Sequence, residues 1–399
     1  MALYADPTHD GRVLREAASL AGEGLDVTIL ALQGREPFAI EPRPGVDVIG
    51  MRPRSSKVIP GTKSPFHPDD PGTSPSVAGG RLGWAFGYGA NLRSWGRWAI
   101  RTAGAPDIWH AHDFTGILAL ALGGLPRHTP VVYDSHELYM ELGSAARMPR
   151  PMRGTLSAIE RRLARRAAGV VTVNQAVAAE LSRRYGVDPV VVMNCPYYVD
   201  VTRPGRLRSA LGLTDQSVLL YHGAVSEGRG IEAAVGALQR LPSSVVLVIL
   251  GDGALVPWVR EQQSRPGLAG RLLWHPAVPL AELLSWVVDA DLGLALIAPT
   301  ELNFVVSTPN KLFECMTAGV PVLASDFPEM RRIVVGERIG EVCDPTDPGE
   351  IAASINRLLG APTNLAEMRE RAQRAAQRTY NWEAQAAGLT DLYRRILSS

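Results

Sequence analysis

Lysine is nearly missing from this chain of 399 residues: only Lys57, Lys63 and Lys311 occur among 41 basic side chains, and the rest are arginine. Lys57 and Lys63 fall in a stretch rich in Pro, Gly and Ser, which leaves Lys311 as the one lysine outside a loop. Cysteine is as scarce. Cys195, Cys315 and Cys343 stand far apart with no CxxC or paired Cys/His spacing, which argues against disulfides and structural zinc and for buried small hydrophobes. Net charge is missing too: 41 basic against 40 acidic residues gives +1, so there is no global field to hold nucleic acid. No apolar run approaches the ~20 residues of a membrane span, and the N-terminus lacks the basic-then-apolar order of a secretion signal. The expectation is a cytoplasmic globular protein.

What the chain does have is alternation. Its length is too great for one ordinary core, and two domains are the natural division. In the first half, apolar strand-like runs at 27–32, 46–51, 108–110, 131–133, 170–173 and 190–193 alternate with helical periodicity at 12–21, 115–122, 152–168 and 176–185, the rhythm of a parallel sheet. The stretch 52–89 breaks the rhythm and reads as a long loop of the kind that forms lids. A second series follows, with strands at 218–221, 245–250, 272–274, 292–297 and 320–324. The fold expected is α/β, with two Rossmann-like domains facing a central cleft. The first covers 1–198, the second 199–381, and a last helix (382–397, capped by Asn381) returns to the first. Ligands in such sheets bind beyond the carboxyl ends of the strands.

The segment 307–325 is the most informative. Pro309 suits the start of a helix, Asn310 and Lys311 fall near its N-terminal end, and Glu314 shares a face with Lys311 at i+3. Gly319 stops the helix and a buried strand follows. A helix N-terminus with a lysine suits a diphosphate, and a carboxylate one turn on can accept sugar hydroxyls, a combination that fits a sugar nucleotide. The plainer reading is a solvated ion pair worth a few tenths of a kcal/mol.

Other polar groups stand at strand ends. His110, His112 and Asp113 follow one short strand, and His136 and Glu137 follow the next. Two His with carboxylates can bind zinc or iron, but no HExxH-type spacing is present. In the second half, 221–230 (Tyr-His-Gly-Ala-Val-Ser-Glu-Gly-Arg-Gly) and 250–253 (Leu-Gly-Asp-Gly) offer glycines for close approach to an anion, and Arg229 adds a bidentate donor. Neither is a P-loop or GxGxxG, so NTP hydrolysis and nicotinamide redox lose support.

Taken together, Arg12-Val-Leu-Arg-Glu-Ala17, His110-Ala-His-Asp113, Tyr133-Asp-Ser-His-Glu137, Tyr221-His-Gly223, Leu250-Gly-Asp-Gly253, Pro309-Asn-Lys-Leu-Phe-Glu314, Ala318-Gly-Val-Pro-Val322 and Asn381-Trp-Glu383 resemble the group 1 retaining glycosyltransferases of the GT-B fold. The resemblance implies an N-terminal domain for the acceptor and a C-terminal domain for a nucleotide-sugar donor. It further implies that His136 contacts the transferred sugar, that Arg229 and Lys311 hold and neutralise the leaving diphosphate, and that Glu314 binds the ribose. Gly223, Gly251, Gly253, Asn303, Ser307 and Asn310 would complete the donor site, and Asp10, Arg12, His110, His112, Asp113 and Glu137 the acceptor side.

Three positions depart from the pattern. Val306 stands where the first glutamate of a paired motif belongs, Ala224 where an arginine often does, and the first strand has little beyond residues 1–6. Asn303 and Ser307 are then expected to supply sugar contacts. No acidic pair of DxD type stands at a strand end, since Asp69-Asp70 lies in the loop, so no cofactor and no obligatory metal are expected. The partners expected are the nucleotide-sugar donor and a glycan or lipid-linked acceptor, with no nucleic acid. Arginines at 147, 150, 153, 161, 162, 165 and 166, with Met148, Met152, Leu156 and Leu163, form a basic amphipathic surface suited to anionic headgroups at the inner membrane face. A normally packed helix with a solvated arginine face is the alternative there. For the whole chain, a nucleotide-sugar 2-epimerase or a degenerate sugar-nucleotide-binding partner are the competing functions.

Overall fold

The computed structural model describes all residues except 9, 35–37, 39–42, 53–79, 203–204 and 399. The chain divides into two compact units, Met1–Met193 with Ala386–Ser399, and Asn194–Gln385.

The first unit runs β1 (Ala2–Leu3), α1 (Gly11–Gly22), β2 (Val27–Leu32), β3 (Val46–Met51), α2 (Gly80–Ala103), β4 (Trp109–His112), α3 (Asp113–Gly123), β5 (Val131–Ser135), α4 (Gly143–Ala146), α5 (Arg150–Ala164), β6 (Gly169–Thr172), α6 (Gln175–Tyr185) and β7 (Val190–Val191). Its sheet is parallel, in the order β3-β2-β1-β4-β5-β6-β7. The strand order reverses between β1 and β4, and there His112 lies beside Leu3 on one side and Asp134 on the other. Such a reversal opens the crevice in which α/β sheets bind ligands. Ile29, Ala111, Val132, Tyr133 and Val171 are fully buried along these strands.

The second unit continues with α7 (Arg206–Leu211), β8 (Ser217–His222), α8 (Ile231–Leu238), β9 (Val245–Leu250), α9 (Val256–Gln262), β10 (Leu272–His275), α10 (Leu283–Val287), β11 (Leu292–Ala295), α11 (Leu302–Val306), α12 (Asn310–Thr317), β12 (Val322–Ser325), α13 (Pro328–Val334), β13 (Gly340–Cys343), α14 (Pro348–Leu359) and α15 (Pro362–Arg378), and α16 (Trp382–Leu397) starts here and belongs to the first unit from Ala386 on. Its parallel sheet has the order β10-β9-β8-β11-β12-β13, reversing between β8 and β11. β9 is buried at all six positions, as a central parallel strand covered on both faces must be. Asn381 caps α16 through Ala384 N–H (2.8 Å) and donates to the Ala376 and Gln377 carbonyls (2.7 and 2.8 Å), tying the end of α15 to the start of α16.

The structure corrects several sequence expectations. Of the loop expected at 52–89, residues 53–79 lie outside the described set, but 80–89 belong to the 24-residue α2. Glycine misleads here because it serves close packing. A Cβ on Gly96 would stand 1.9 Å from the Ala119 carbonyl oxygen, and one on Gly123 would stand 2.5 Å from the Gly96 carbonyl carbon, so α2 and α3 touch backbone to backbone. The strand expected at 108–110 extends through His112, and the helix expected at 152–168 ends at Ala164. β1 is only two residues long, and β13 had no sequence counterpart.

Candidate functional site

In the second unit the carboxyl ends of β8 and β9 form one platform. Gly223 N–H donates to the Leu250 carbonyl (2.9 Å) and Val225 N–H to the Asp252 carbonyl (2.9 Å), so the two glycine loops stay paired beyond the strands. Gly251 and Gly253 have φ of +149° and +155°, and a Cβ on either would fall 2.0 and 2.2 Å from the carbonyl oxygens of Gly223 and Val225. Only glycine fits. Arg229, between two left-handed glycines, lays its guanidinium 5.0 Å from the centre of the Phe304 ring on α11, and its Nε is buried without a hydrogen-bond partner among the described residues.

α12 supplies the opposing groups. Its N-cap is Pro309, whose side chain accepts nothing from the first turn, which leaves N–H groups there for an anion. Lys311 and Glu314 form no ion pair with each other among the described residues. Lys311 Nζ sits 3.4 Å from the centre of the Tyr221 ring, whereas Glu314 Oε2 is 2.8 Å from His222 Nε2. The solvated-pair reading of this helix is thus set aside. Burial, with the Arg229 charge adding to it, lowers Lys311 to about 7 despite the nearby Glu314. Asn310 is exposed and its Oδ1 accepts from Asn194 Nδ2 (3.1 Å). Asn303, expected with Ser307 to take the place of the glutamate absent at Val306, is buried, and Ser307 is half-buried with its hydroxyl donating to the Phe304 carbonyl (3.0 Å).

In the first unit the polar residues are layered. His136 lies at the surface end, 16 % exposed, with Nε2 2.8 Å from Asp134 Oδ2 and Nδ1 3.6 Å from Asp113 Oδ2. Burial alone would lower the imidazole, but the two carboxylates outweigh it and hold it up to about 10. His136 is therefore a cation at neutral pH, a hydrogen-bond donor and not a base. Asp113 adopts φ +57° and accepts the His136 backbone N–H (3.2 Å), and left-handed backbone at a non-glycine residue is characteristic of functional sites. Glu137 is exposed, and Asp10 caps α1 by accepting from Val13 N–H (3.1 Å).

Beneath His136 lies a layer that solvent does not reach. Arg12, His110 and His112, expected on the acceptor side, are 3 %, 1 % and 0 % exposed, so they support the site from below. Arg12 bonds both oxygens of Asp134 (2.9 and 2.8 Å) and pairs with Glu16 (3.0 Å). His110 accepts or donates at Nδ1 to the Tyr393 hydroxyl (2.9 Å) and stacks on His112, whose Nδ1 is 3.3 Å from His136 Nε2. Glu16, His110, His112 and Asp134 have ligating atoms close enough together to hold a metal ion. The positive charge among them is supplied by the Arg12 guanidinium, which occupies both carboxylates. Burial opposes the charge on Asp134, yet Arg12 and His136 hold it well below the usual carboxylate range, while burial pushes Glu16 up to about 8.

Sequence reasoning missed Glu16, Asp134, Tyr221, His222 and Tyr393. A signal existed for Glu16. It lies four residues after Arg12 on the buried stripe of α1 that carries Val13, Ala17 and Leu20, and charges on an apolar face need a partner.

Comparison with known proteins agrees with this arrangement. Residues 11–198 match the Glycosyl transferase 4-like domain and residues 216–361 match Glycosyl transferases group 1. The D-inositol 3-phosphate glycosyltransferase of Xylanimonas cellulosilytica is 28 % identical over 96 % of this chain and 90 % of its own length. Among solved structures, Anabaena HepE in complex with UDP superposes with a TM-score of 0.74 at 16 % identity, covering 99 % of this chain and 100 % of that one. The sucrose-phosphate synthase of Thermosynechococcus elongatus gives 0.73 at 18 %, covering 97 % and 92 %. Two Rossmann-like units with parallel sheets, strand-end sites of this kind and both family matches lead to one conclusion: the chain is a glycosyltransferase of GT-B fold and belongs to the group 1 family.

Proposed function

We propose that the protein transfers a sugar from a nucleoside diphosphate sugar to an acceptor hydroxyl with retention of anomeric configuration. The observation that carries this reading is the separation of Lys311 from Glu314 on α12, which leaves a cation for a diphosphate and a carboxylate for a nucleoside hydroxyl a turn apart. As the donor bond breaks, charge grows on the departing diphosphate. Arg229, Lys311 and the open first turn of α12 would stabilise that charge more than the ground state, which is what accelerates a reaction. His136, a fixed cation flanked by two carboxylates, is suited to donating to the transferred sugar. Neither role requires a metal or a cofactor. The full-length relative is named for an inositol 3-phosphate substrate, which supports a polyhydroxylated acceptor, as in the building of glycans or glycolipids. A location against an anionic membrane face belongs to the same reading.

The test is calorimetry with UDP-, GDP- and ADP-sugars, followed by NMR of the product's anomeric proton. Lys311→Ala is expected to weaken nucleoside diphosphate binding and turnover together, at least tenfold, whereas Glu314→Ala chiefly weakens recognition of the nucleoside. Unchanged donor affinity in both variants, or an inverted product, would reject the assignment.

A further inference from the structure

Two consecutive residues at the end of β8 hold the two functional side chains of α12. Tyr221 places its ring under Lys311 Nζ at 3.4 Å, and its hydroxyl is anchored on the Ala224 carbonyl (2.5 Å). His222, 1 % exposed, bonds Glu314 Oε2 at 2.8 Å. Its other nitrogen, Nδ1, is buried with no partner among the described residues. A proton on Nδ1 would be a buried donor with nothing to bond, so the geometry places the hydrogen that serves Glu314 on Nε2. Nε2–H then donates to the carboxylate and fixes its rotamer. Oε2 is taken, and Oε1 has no protein partner among the described residues.

Without that bond the carboxylate would be free to turn. Glu314 and Lys311 stand at i+3 on one helix face, the spacing at which opposite charges pair. Such a pair would neutralise both groups that a nucleotide needs and hide both from it.

We infer that His222 is a positioning residue that prevents this collapse, holding Glu314 away from Lys311 and aiming its free oxygen so that the site selects ribonucleoside over 2′-deoxyribonucleoside diphosphates. The inference rests on the donor reading above and adds to it the residue that sets sugar selectivity in the nucleotide.

The experiment is calorimetric titration with UDP, GDP and ADP and their 2′-deoxy counterparts. The quantity read is the ratio of the two dissociation constants for the best-bound base. For the unaltered protein the ratio is expected to favour the ribonucleotide by about tenfold or more, the size of one hydrogen bond to a charged group. His222→Leu is expected to bring the ratio close to one, as Glu314→Gln does, whereas His222→Gln, which keeps an N–H donor at similar reach, retains most of it. A structural loss would weaken both nucleotides equally and leave the ratio where it was. Retention of the full ratio in a folded His222→Leu protein, or its loss in His222→Gln, would overturn the role of His222. Failure of the unaltered protein to bind any of the three ribonucleotides would overturn the donor reading, and this inference with it.

Discussion

Lys311 is half-buried over an aromatic ring with Arg229 nearby, and both burial and the like charge disfavour its ammonium form. A lysine lowered to about 7 is mostly neutral at pH 8. A diphosphate arriving at the first turn of α12 reverses the balance, because opposite charge nearby favours the protonated amine. Donor binding at pH 8 is therefore expected to take up close to one proton, and at pH 6, where the lysine is already charged, almost none. Titrations of the nucleoside diphosphate in buffers of different ionisation enthalpy measure this directly. Heats at pH 8 that do not depend on the buffer would contradict it. The depressed lysine also opposes folding below about 7, and that cost disappears as pH rises towards 10.5, the ordinary value for lysine.

At the scale of elements, α5 is pinned to its unit by a buried acid. Glu160 accepts from the Tyr133 hydroxyl on β5 and the Tyr185 hydroxyl at the end of α6, both at 2.7 Å. Burial raises this carboxyl to about 7 even though both tyrosines favour the charged form. The stability it contributes is thus fully present below about 4.5, its ordinary value, and is lost as pH rises through about 7. A shift of this size corresponds to about 3 kcal/mol. Glu160→Gln is expected to remove that slope, so that the difference in unfolding free energy between variant and parent changes between pH 4.5 and 7.5. Urea unfolding read by amide exchange in β5 and α5 checks it, and a constant difference across that range would refute it.

The same elements show what a sequence discloses. The parallel strands were readable because both of their faces are buried and apolar, as at β9, and α16 because Asn381 is a strong cap followed by clean periodicity. α2 was not, since glycine at a helix contact looks the same in sequence as glycine in a loop. At the site, the residues proposed to meet ligand and those that support them lie in the same strand-end motifs, and the sequence does not tell the two apart. His222 and Asp134 acquire a role only when the fold sets them beside residues 92 positions away and 122 positions away, respectively.

For the molecule as a whole, the open question of place turns on α5 and its surroundings. Arg147, Arg150, Arg161, Arg162, Arg165 and Arg166 are exposed, whereas Met148, Met152, Leu156 and Leu163 are only partly so. The apolar side chains of this surface are half-buried, and no described helix is long and apolar enough to cross a membrane. Four of the arginines, with Thr155 and Ile159, line a depression of ≈ 630 Å³. A surface whose arginines are exposed and whose apolar groups are half-buried holds a membrane chiefly by electrostatics, at about 1 kcal/mol per basic residue near the headgroups. The protein is therefore expected to sediment with phosphatidylglycerol vesicles and not with phosphatidylcholine vesicles at about 0.1 M salt. Release should follow at about 1 M, where the screening length falls from ~10 to ~3 Å. Replacing Arg161, Arg162, Arg165 and Arg166 by Gln is expected to abolish sedimentation while nucleotide binding, which we assign to the other unit, is unchanged. If the protein stays in the supernatant at low salt, α5 is an ordinary packed helix with a solvated face. If it remains bound at high salt, apolar groups must insert, and the electrostatic reading is overturned.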